Sequence, residues 1–392
     1  MIVAGDSLSR FEFAAPGRIV FGPGSLGSLP GEVAPFGRKV LLVTGSRPQR
    51  LQTVVEGMQA AGLTLDLFSV DREPTVGMVR EGVGRASTAS VDVVVGIGGG
   101  SVMDAAKAIA ALLGNGGDPL DYLEVVGAGR PLGRPSVPLF LAPTTAGTGT
   151  EATKNAVLLS EQHHVKVSLR GVGLLPRLAL VDPELTYGLP PEVTAWGGLD
   201  ALTQLIEPYV GCRPQPITDA LGLEGMRRIA RSLRRAFHDG GDVEARIDLS
   251  LAALFSGIAL ANAGLGVVHG FAGVIGGMID AHHGMVCASL LPAGMRANLT
   301  ALRARAPSHP SRRRHGELAA ALTGHADASP EDGIAWVQQL SRELGVPRLS
   351  QMGLKTEDLD VLVERTAVAS STKGNPIPLT RDELLGIVQA SW

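Results

Sequence analysis

The chain has 392 residues, 45% of them hydrophobic and 19% charged, and its 35 basic and 38 acidic side chains leave a net charge of −3. That length exceeds one small core and predicts two domains of the usual ~100–200 residues. The charge balance excludes a strong electrostatic attraction to nucleic acid, the absence of an unbroken run of about 20 apolar residues excludes a plain membrane span, and two cysteines, Cys212 and Cys287, exclude a disulfide scaffold. The start of the chain, Met1–Ser7, lacks a basic segment followed by an apolar one. The expected setting is therefore the cytoplasm, with neither membrane nor nucleic acid as partner. One local exception is the basic stretch Arg303–His315, read as a solvated surface connection.

From Arg38 to Pro143, short apolar runs alternate with helical patterns. Val40–Thr44 reads as a strand, Leu51–Ala61 as a helix, Leu63–Val70 as a strand and Val76–Arg85 as a helix. Val91–Ile97 is the next strand, Val102–Leu113 the next helix and Pro138–Ala142 the last strand of the series. Nearly continuous apolar strands separated by helices predict a parallel sheet covered on both faces, a doubly wound α/β domain. Between Thr144 and Asp182 the sequence turns polar, with an extended pair expected at Val157–Leu159 and Val165–Leu169. Beyond Leu185–Pro191 it reads as helix after helix, starting with Glu192–Tyr209, Pro216–Phe237 and Val243–Ala261. The expected division is an α/β domain over 1–187 and an all-helical domain over 188–392.

Two loops follow predicted strands. Gly98, Gly99, Gly100 and Ser101 lie between a strand and a helix, where unpaired N–H groups and small residues suit a pyrophosphate. The second, Ala142–Thr153, is rich in Thr and Gly and supplies further hydroxyls. Both lie at carboxyl ends of strands, where parallel-sheet proteins bind ligands, so a dinucleotide is expected there. After the first strand, Gly45, Ser46 and Arg47 stand where an NAD site often has an acidic residue. Gly45 leaves room and Ser46 and Arg47 can bond a 2′-phosphate, so the expectation is NADP(H) or NAD(H), with NADP(H) favoured.

In the helical half, Asp200 and Gln204 fall four positions apart on one helix face, and His269 and His283 can complete a set of four oxygen and nitrogen donors. His282, next to His283, is the weaker candidate. The set suits a divalent metal, with Fe, Zn, Mn, Ni and Co not separable by ligand chemistry. Metal-free chemistry through His269 or His283 as general acid is the alternative, and a hydrogen-bonded core the third.

Together these segments resemble the iron-containing (group III) alcohol dehydrogenases over nearly the whole chain. The motifs are Ile19–Gly24, Glu73–Thr75, Gly98–Asp104, Pro143–Glu151, Val181–Pro183, Gly198–Thr203, Val268–Gly270 and His283–Pro292. The resemblance implies an N-terminal dinucleotide-binding domain, a C-terminal helical domain, and a catalytic cleft between them. It implies that Gly98, Gly99, Gly100 and Ser101 cradle phosphate, with Asp104 at the start of the helix behind them. Thr144, Thr145 and Thr148 would line the ribose and nicotinamide, and Lys166 would contact cofactor. Asp200, His269 and His283 match three metal ligands and are the expected catalytic residues.

The fourth ligand position, commonly histidine, is Gln204 here, and Gly273 stands where many members carry a further histidine. These departures imply an outlying branch. The implied activity is hydride transfer between a nicotinamide and a small alcohol, aldehyde or ketone, including hydroxy or keto acids, with a homodimer or larger homo-oligomer as the assembly. Phe11–Phe13 is a candidate strand for that contact. Two other readings follow from the same fold: a nucleotide-using lyase or cyclase related to dehydroquinate synthase, and a non-catalytic nucleotide-binding homologue.

Overall fold

The computed structural model describes residues 10–163 and 165–392, so the Met1–Ser7 stretch lies outside the described residues. The described residues form eight strands: β1 (Ile19–Phe21), β2 (Lys39–Thr44), β3 (Thr64–Ser69), β4 (Val93–Gly98), β5 (Leu139–Pro143), β6 (Asn155–Ser160), β7 (Val165–Arg170) and β8 (Leu178–Val181). Six form one sheet in the order β1-β8-β5-β4-β2-β3, every pairing parallel. β6 and β7, which span the expected extended pair, form a separate antiparallel ladder.

The helices of this half are α1 (Leu29–Val33), α2 (Gln52–Ala60), α3 (Val76–Ala89), α4 (Gly100–Asn115) and the single turn α5 (Pro119–Tyr122). All six residues of β4 are buried because helices cover both faces of the sheet. One core gathers Val94, Leu141, Met103 and Ile109, and the other gathers Leu42, Val95, Phe140 and Leu180. The chain runs outward from β2 to β3 and then returns to β4 on the other side of β2. The loops after β2 and β4 therefore flank the point where the winding reverses, the usual ligand crevice of such sheets.

β1 and β8 are short and were not foreseen as strands. Asp182, just past β8, accepts hydrogen bonds from the N–H groups of Gly24 (3.1 Å) and Leu26 (2.9 Å), fastening the loop after β1 to the loop after β8. That contact ties together two segments that stand far apart in the sequence.

The helical half contains α6 (Pro191–Val210), α7 (Pro216–His238), α8 (Val243–Ala263), α9 (Val267–Met278) and α10 (His283–Arg305). It ends with α11 (Ser311–Thr323), α12 (Pro330–Glu343), α13 (Leu359–Val368) and α14 (Arg381–Ala390). Pro191 occupies the first turn of α6, where a missing N–H costs nothing, and the Asp242 side chain caps α8 through Ala245 N–H. α6 runs through the largest hydrophobic core, which also takes in residues of α7 to α14. No single described helix is long and apolar enough to cross a membrane. α8 and α9 pass such a test only as a pair bent by 99°, and both lie largely buried in this core.

The basic stretch Arg303–His315 is neutralised locally. Arg303 pairs with Glu331, Arg305 with Glu383 at 2.7 Å, and the largely buried Arg314 with Asp219 at 2.6 Å. Within the single chain, Phe11–Phe13 is irregular in conformation. Phe13 packs beside Val181 and Leu254, and Ala14 exchanges hydrogen bonds with the side chain of Asn262.

Candidate active site

β4 ends at Gly98 and α4 begins at Gly100, so the triple glycine is the whole turn and its N–H groups stand at the helix N-terminus. β5 lies beside β4 in register, with Gly98 opposite Pro143, and Thr144 N–H donates to Gly98 O at 2.9 Å. The two candidate cofactor loops are therefore neighbours. A Cβ placed on Gly100 would lie 3.0 Å from the Thr148 side chain, and one on Gly99 would be 3.7 Å from Thr145. Gly45 follows β2, the other neighbour of β4, and Ser46 and Arg47 beyond it are exposed. Lys166 lies apart from this group in its hydrogen bonding: it is mostly buried on β7 and pairs with Glu73 at 3.3 Å.

The Thr-rich loop also closes against the helical half. Gly149 takes a left-handed conformation (φ 59°), and a Cβ there would strike Ala253 O and Gly257 N of α8, both at 2.5 Å. Only glycine permits that approach. A second contact of this kind lies at the start of α10, where a Cβ on Gly284 would be 2.4 Å from Trp196 O and 3.2 Å from the Asp200 Cβ. The close crossing of α6 and α10 brings His283 to Asp200.

Four donor atoms, one each from Asp200, His269, His283 and Cys287, lie within 4.8 Å of one another. His269 Nε2 is 3.5 Å and His283 Nε2 is 3.8 Å from Asp200 Oδ1, and Cys287 Sγ is 3.6 Å from His283 Nε2. Asp200, His269 and Cys287 are buried, whereas the His283 side chain keeps about a third of its surface and marks the open side of the cluster. Asp200 Oδ1 and His269 Nε2 are buried without any hydrogen-bond partner. Two such inward-facing atoms are an expensive arrangement unless a proton or a cation stands between them, and with His269 neutral at Nε2 the donor set fits a divalent metal ion.

Glu207 holds His269 in place. Its Oε2 meets His269 Nδ1 at 2.6 Å, and its Oε1 accepts from Val268 N–H at 2.7 Å, so one carboxylate both caps the start of α9 and orients the imidazole. An Nδ1–H donated to Glu207 leaves the Nε2 lone pair facing the cluster. Gln204 is buried, takes a 2.9 Å hydrogen bond from Ser256 Oγ on its Oε1, and its side chain favours the ionised form of Asp200. His282 lies outside the cluster, its ring tilted by 39° against Trp196 with centroids 4.8 Å apart.

Burial disfavours charge at every member, and the neighbours reverse it. Burial raises the Asp200 carboxyl, but His269 and His283 bring it below its usual range. Burial lowers His269, yet Cys287, Asp200 and Glu207 carry it well above normal, and His283 rises for similar reasons. Burial raises the Cys287 thiol, while the two imidazoles pull it below the ordinary thiol value. His282 is lowered, chiefly by burial.

The sequence pattern described as iron-containing alcohol dehydrogenase matches residues 16–183, and the C-terminal pattern of the Fe-containing alcohol dehydrogenase family matches residues 194–392. The chain belongs to the iron-containing alcohol dehydrogenase family. Alcohol dehydrogenase 4 of Saccharomyces cerevisiae is 36% identical over 360 residues, covering 91% of each chain. Lactaldehyde reductase of Escherichia coli is 32% identical over 95% of this chain and 97% of its own. Among solved structures, a 1,3-propanediol oxidoreductase superposes with a TM-score of 0.90 at 30% identity, over 98% of this chain and all of the other. As an iron-containing alcohol dehydrogenase, the protein is an oxidoreductase that links a nicotinamide cofactor to the interconversion of small alcohols and carbonyl compounds. The lyase reading loses its ground, because both halves match alcohol dehydrogenases.

Several residues escaped the sequence reading. Glu207 lies seven residues after Asp200 and Cys287 four after His283, spacings that put each pair on one helix face, so a signal was present in both cases. Lys107, Glu151 and Thr153 gave none, because their meeting depends on α4 crossing the β5 loop. Lys107 is fully buried under that loop, its Nζ donating to Thr153 O (2.8 Å), Thr153 Oγ1 (2.7 Å) and Asn155 O (3.2 Å). Burial raises Asp104 and Glu151 to about 7 and lowers Lys107 to about 8.

Proposed function

We propose that this enzyme is an NADP(H)-preferring alcohol dehydrogenase or carbonyl reductase in which Asp200, His269 and His283 hold a divalent ion beside the nicotinamide. The observation that carries the reading is the pair of unpartnered buried atoms, Asp200 Oδ1 and His269 Nε2, converging with His283 on one point. When bound, such an ion acts as Lewis acid toward the alcohol or carbonyl oxygen while the nicotinamide exchanges the hydride. Asp200 supplies the negative charge of the set. Glu207 keeps His269 in the tautomer whose Nε2 is free, and His283, on the open side, borders the substrate's way in.

The loops after β2, β4 and β5 take the dinucleotide: Gly98, Gly99, Gly100 and Ser101 for phosphate, with Asp104 behind them, Thr144, Thr145 and Thr148 for ribose and nicotinamide, and Gly45 and Ser46 for the adenosine end. Lys166 serves from the neighbouring hairpin. Gly273 is exposed and a Cβ there would meet nothing within 4 Å, so the space given to a histidine in many relatives is open to substrate. A homodimer in the cytoplasm completes the reading.

The test is elemental analysis of protein purified without chelator, together with NADPH and NADH oxidation over aldehydes, ketones and keto acids. The expected result is metal near one per chain, activity lost on chelation, and faster turnover with NADPH. Gly45→Asp should reverse the cofactor preference by placing a carboxylate against the 2′-phosphate. Metal-free protein with full turnover would overturn the metal role, and an unchanged preference in Gly45→Asp would overturn the placement of the 2′ position. Light scattering reports the assembly.

A further inference from the structure

We infer that the fourth protein ligand of the metal is the thiolate of Cys287, and that Gln204 positions Asp200 instead of binding the ion; the inference rests on the proposal that a metal occupies this cluster. Cys287 is fully buried one helical turn after His283, so its sulfur emerges on the same face of α10 as that imidazole. A tetrahedral ion with bonds of roughly 2.0–2.3 Å needs donors about 3.3–3.8 Å apart. The separations of Asp200 Oδ1 from His269 Nε2 (3.5 Å) and His283 Nε2 (3.8 Å), and of Cys287 Sγ from His283 Nε2 (3.6 Å), fall in that range.

Among the described residues the sulfur engages only the two imidazoles of the same cluster, His283 Nε2 at 3.6 Å and His269. Two neighbouring atoms, Asp200 Oδ1 and His269 Nε2, are buried and unpartnered in the same space, and both are available to a cation. Gln204 is differently placed. Its carbonyl oxygen is taken by the Ser256 hydroxyl, and its side chain steadies the Asp200 carboxylate. The chain thus replaces an imidazole on α6 with a sulfur on α10. The thiol proton passes to solvent on binding, and the two anionic donors balance a divalent charge. A thiolate also favours zinc, cobalt or ferrous iron over magnesium or manganese.

Cobalt(II) loaded into the metal-stripped full chain tests this without reference to turnover. The expected result is a strong thiolate-to-cobalt charge-transfer absorption in the near ultraviolet with about one cobalt per chain. The absorption should be lost in Cys287→Ser and kept in Gln204→Ala and in Cys212→Ser, which alters the other, exposed cysteine. X-ray absorption of the unsubstituted protein gives a second measure that needs no variant, a sulfur scatterer at about 2.3 Å from the metal. Stoichiometric cobalt without a charge-transfer band, or with only nitrogen and oxygen scatterers, overturns the thiolate ligand while the metal site stands. Failure of the unsubstituted chain to bind cobalt, zinc or iron overturns both.

Discussion

Two buried ionisable clusters stand side by side in the chain's architecture, and they solve the same electrostatic problem differently. Beneath the glycine turn, the half-buried Asp104 and the buried Glu151 lie near Lys107, whose Nζ donates to three oxygen acceptors. At the crossing of α6, α9 and α10, Asp200 and a thiol share the interior with two imidazoles. The first cluster carries its own cation. The second leaves two converging atoms, Asp200 Oδ1 and His269 Nε2, without a partner and open to a cation, whereas the unpartnered atom of the first, Glu151 Oε2, belongs to a carboxyl that burial shifts toward its neutral form. Buried polar groups of similar kind are therefore satisfied within the fold in one place and left available to a ligand in the other.

The sharpest break between the two is expected at Asp200. Asp200→Asn removes the charge while keeping the shape, and kcat/KM should fall by about 10³-fold, near 4 kcal/mol of lost barrier lowering, with little change in thermal stability of the metal-free protein. Lys107→Met should do the reverse. It strips a buried ammonium from its acceptors, so urea denaturation should show a loss of about 3–4 kcal/mol, with metal content per folded chain unchanged. If the stability loss followed Asp200→Asn and the metal loss followed Lys107→Met, the assignment of roles would be inverted.

Glu151→Gln probes the first cluster by pH. The Glu151 carboxyl is raised from 4.5 to about 7 by burial, so the folded state prefers it protonated. Its contribution is complete below the unfolded pKa and is lost as pH rises through the folded one, here between about 4.5 and 7. Lys107, lowered to about 8, stays largely protonated in both states over that window and does not alter the sign. The neutral glutamine variant should match the parent near pH 5 and exceed its stability by roughly 2–3 kcal/mol at pH 8, read from paired denaturation curves. Equal stabilities at both pH values would mean that Glu151 is ionised throughout.

The contrast between the clusters also explains what could be read in advance. The parallel sheet was legible because β2, β4 and β5 are apolar on both faces, and α6 to α8 because long periodic runs begin at proline or aspartate caps. β1 and β8, three and four residues long, were not, since strands that short carry no periodicity of their own. Asp200, His269 and His283 were nameable from their motifs. Cys287 stood inside a quoted motif, but its weight came only with the distance from its sulfur to His283. Lys107, Glu151 and Thr153 lie on a helix and the loop after a different strand, and only the tertiary crossing shows that they meet.

The smallest expected effect tests how the second cluster is kept ready. Glu207→Gln preserves volume, and its amide oxygen can still accept from Val268 N–H, so the start of α9 should remain capped and the fold intact. The change is at His269 Nδ1, where a carboxylate that only accepts becomes an amide that can donate. An amide N–H facing Nδ1 favours the tautomer with its proton on Nε2, which points a proton into the cluster where a lone pair is needed. Metal affinity measured by chelator competition should weaken about 10–100-fold, with thermal unfolding of the metal-free protein nearly unchanged. Unchanged affinity would mean that His269 reaches its binding tautomer without Glu207, and that the buried carboxylate belongs with Lys107's cluster in kind, serving the fold alone.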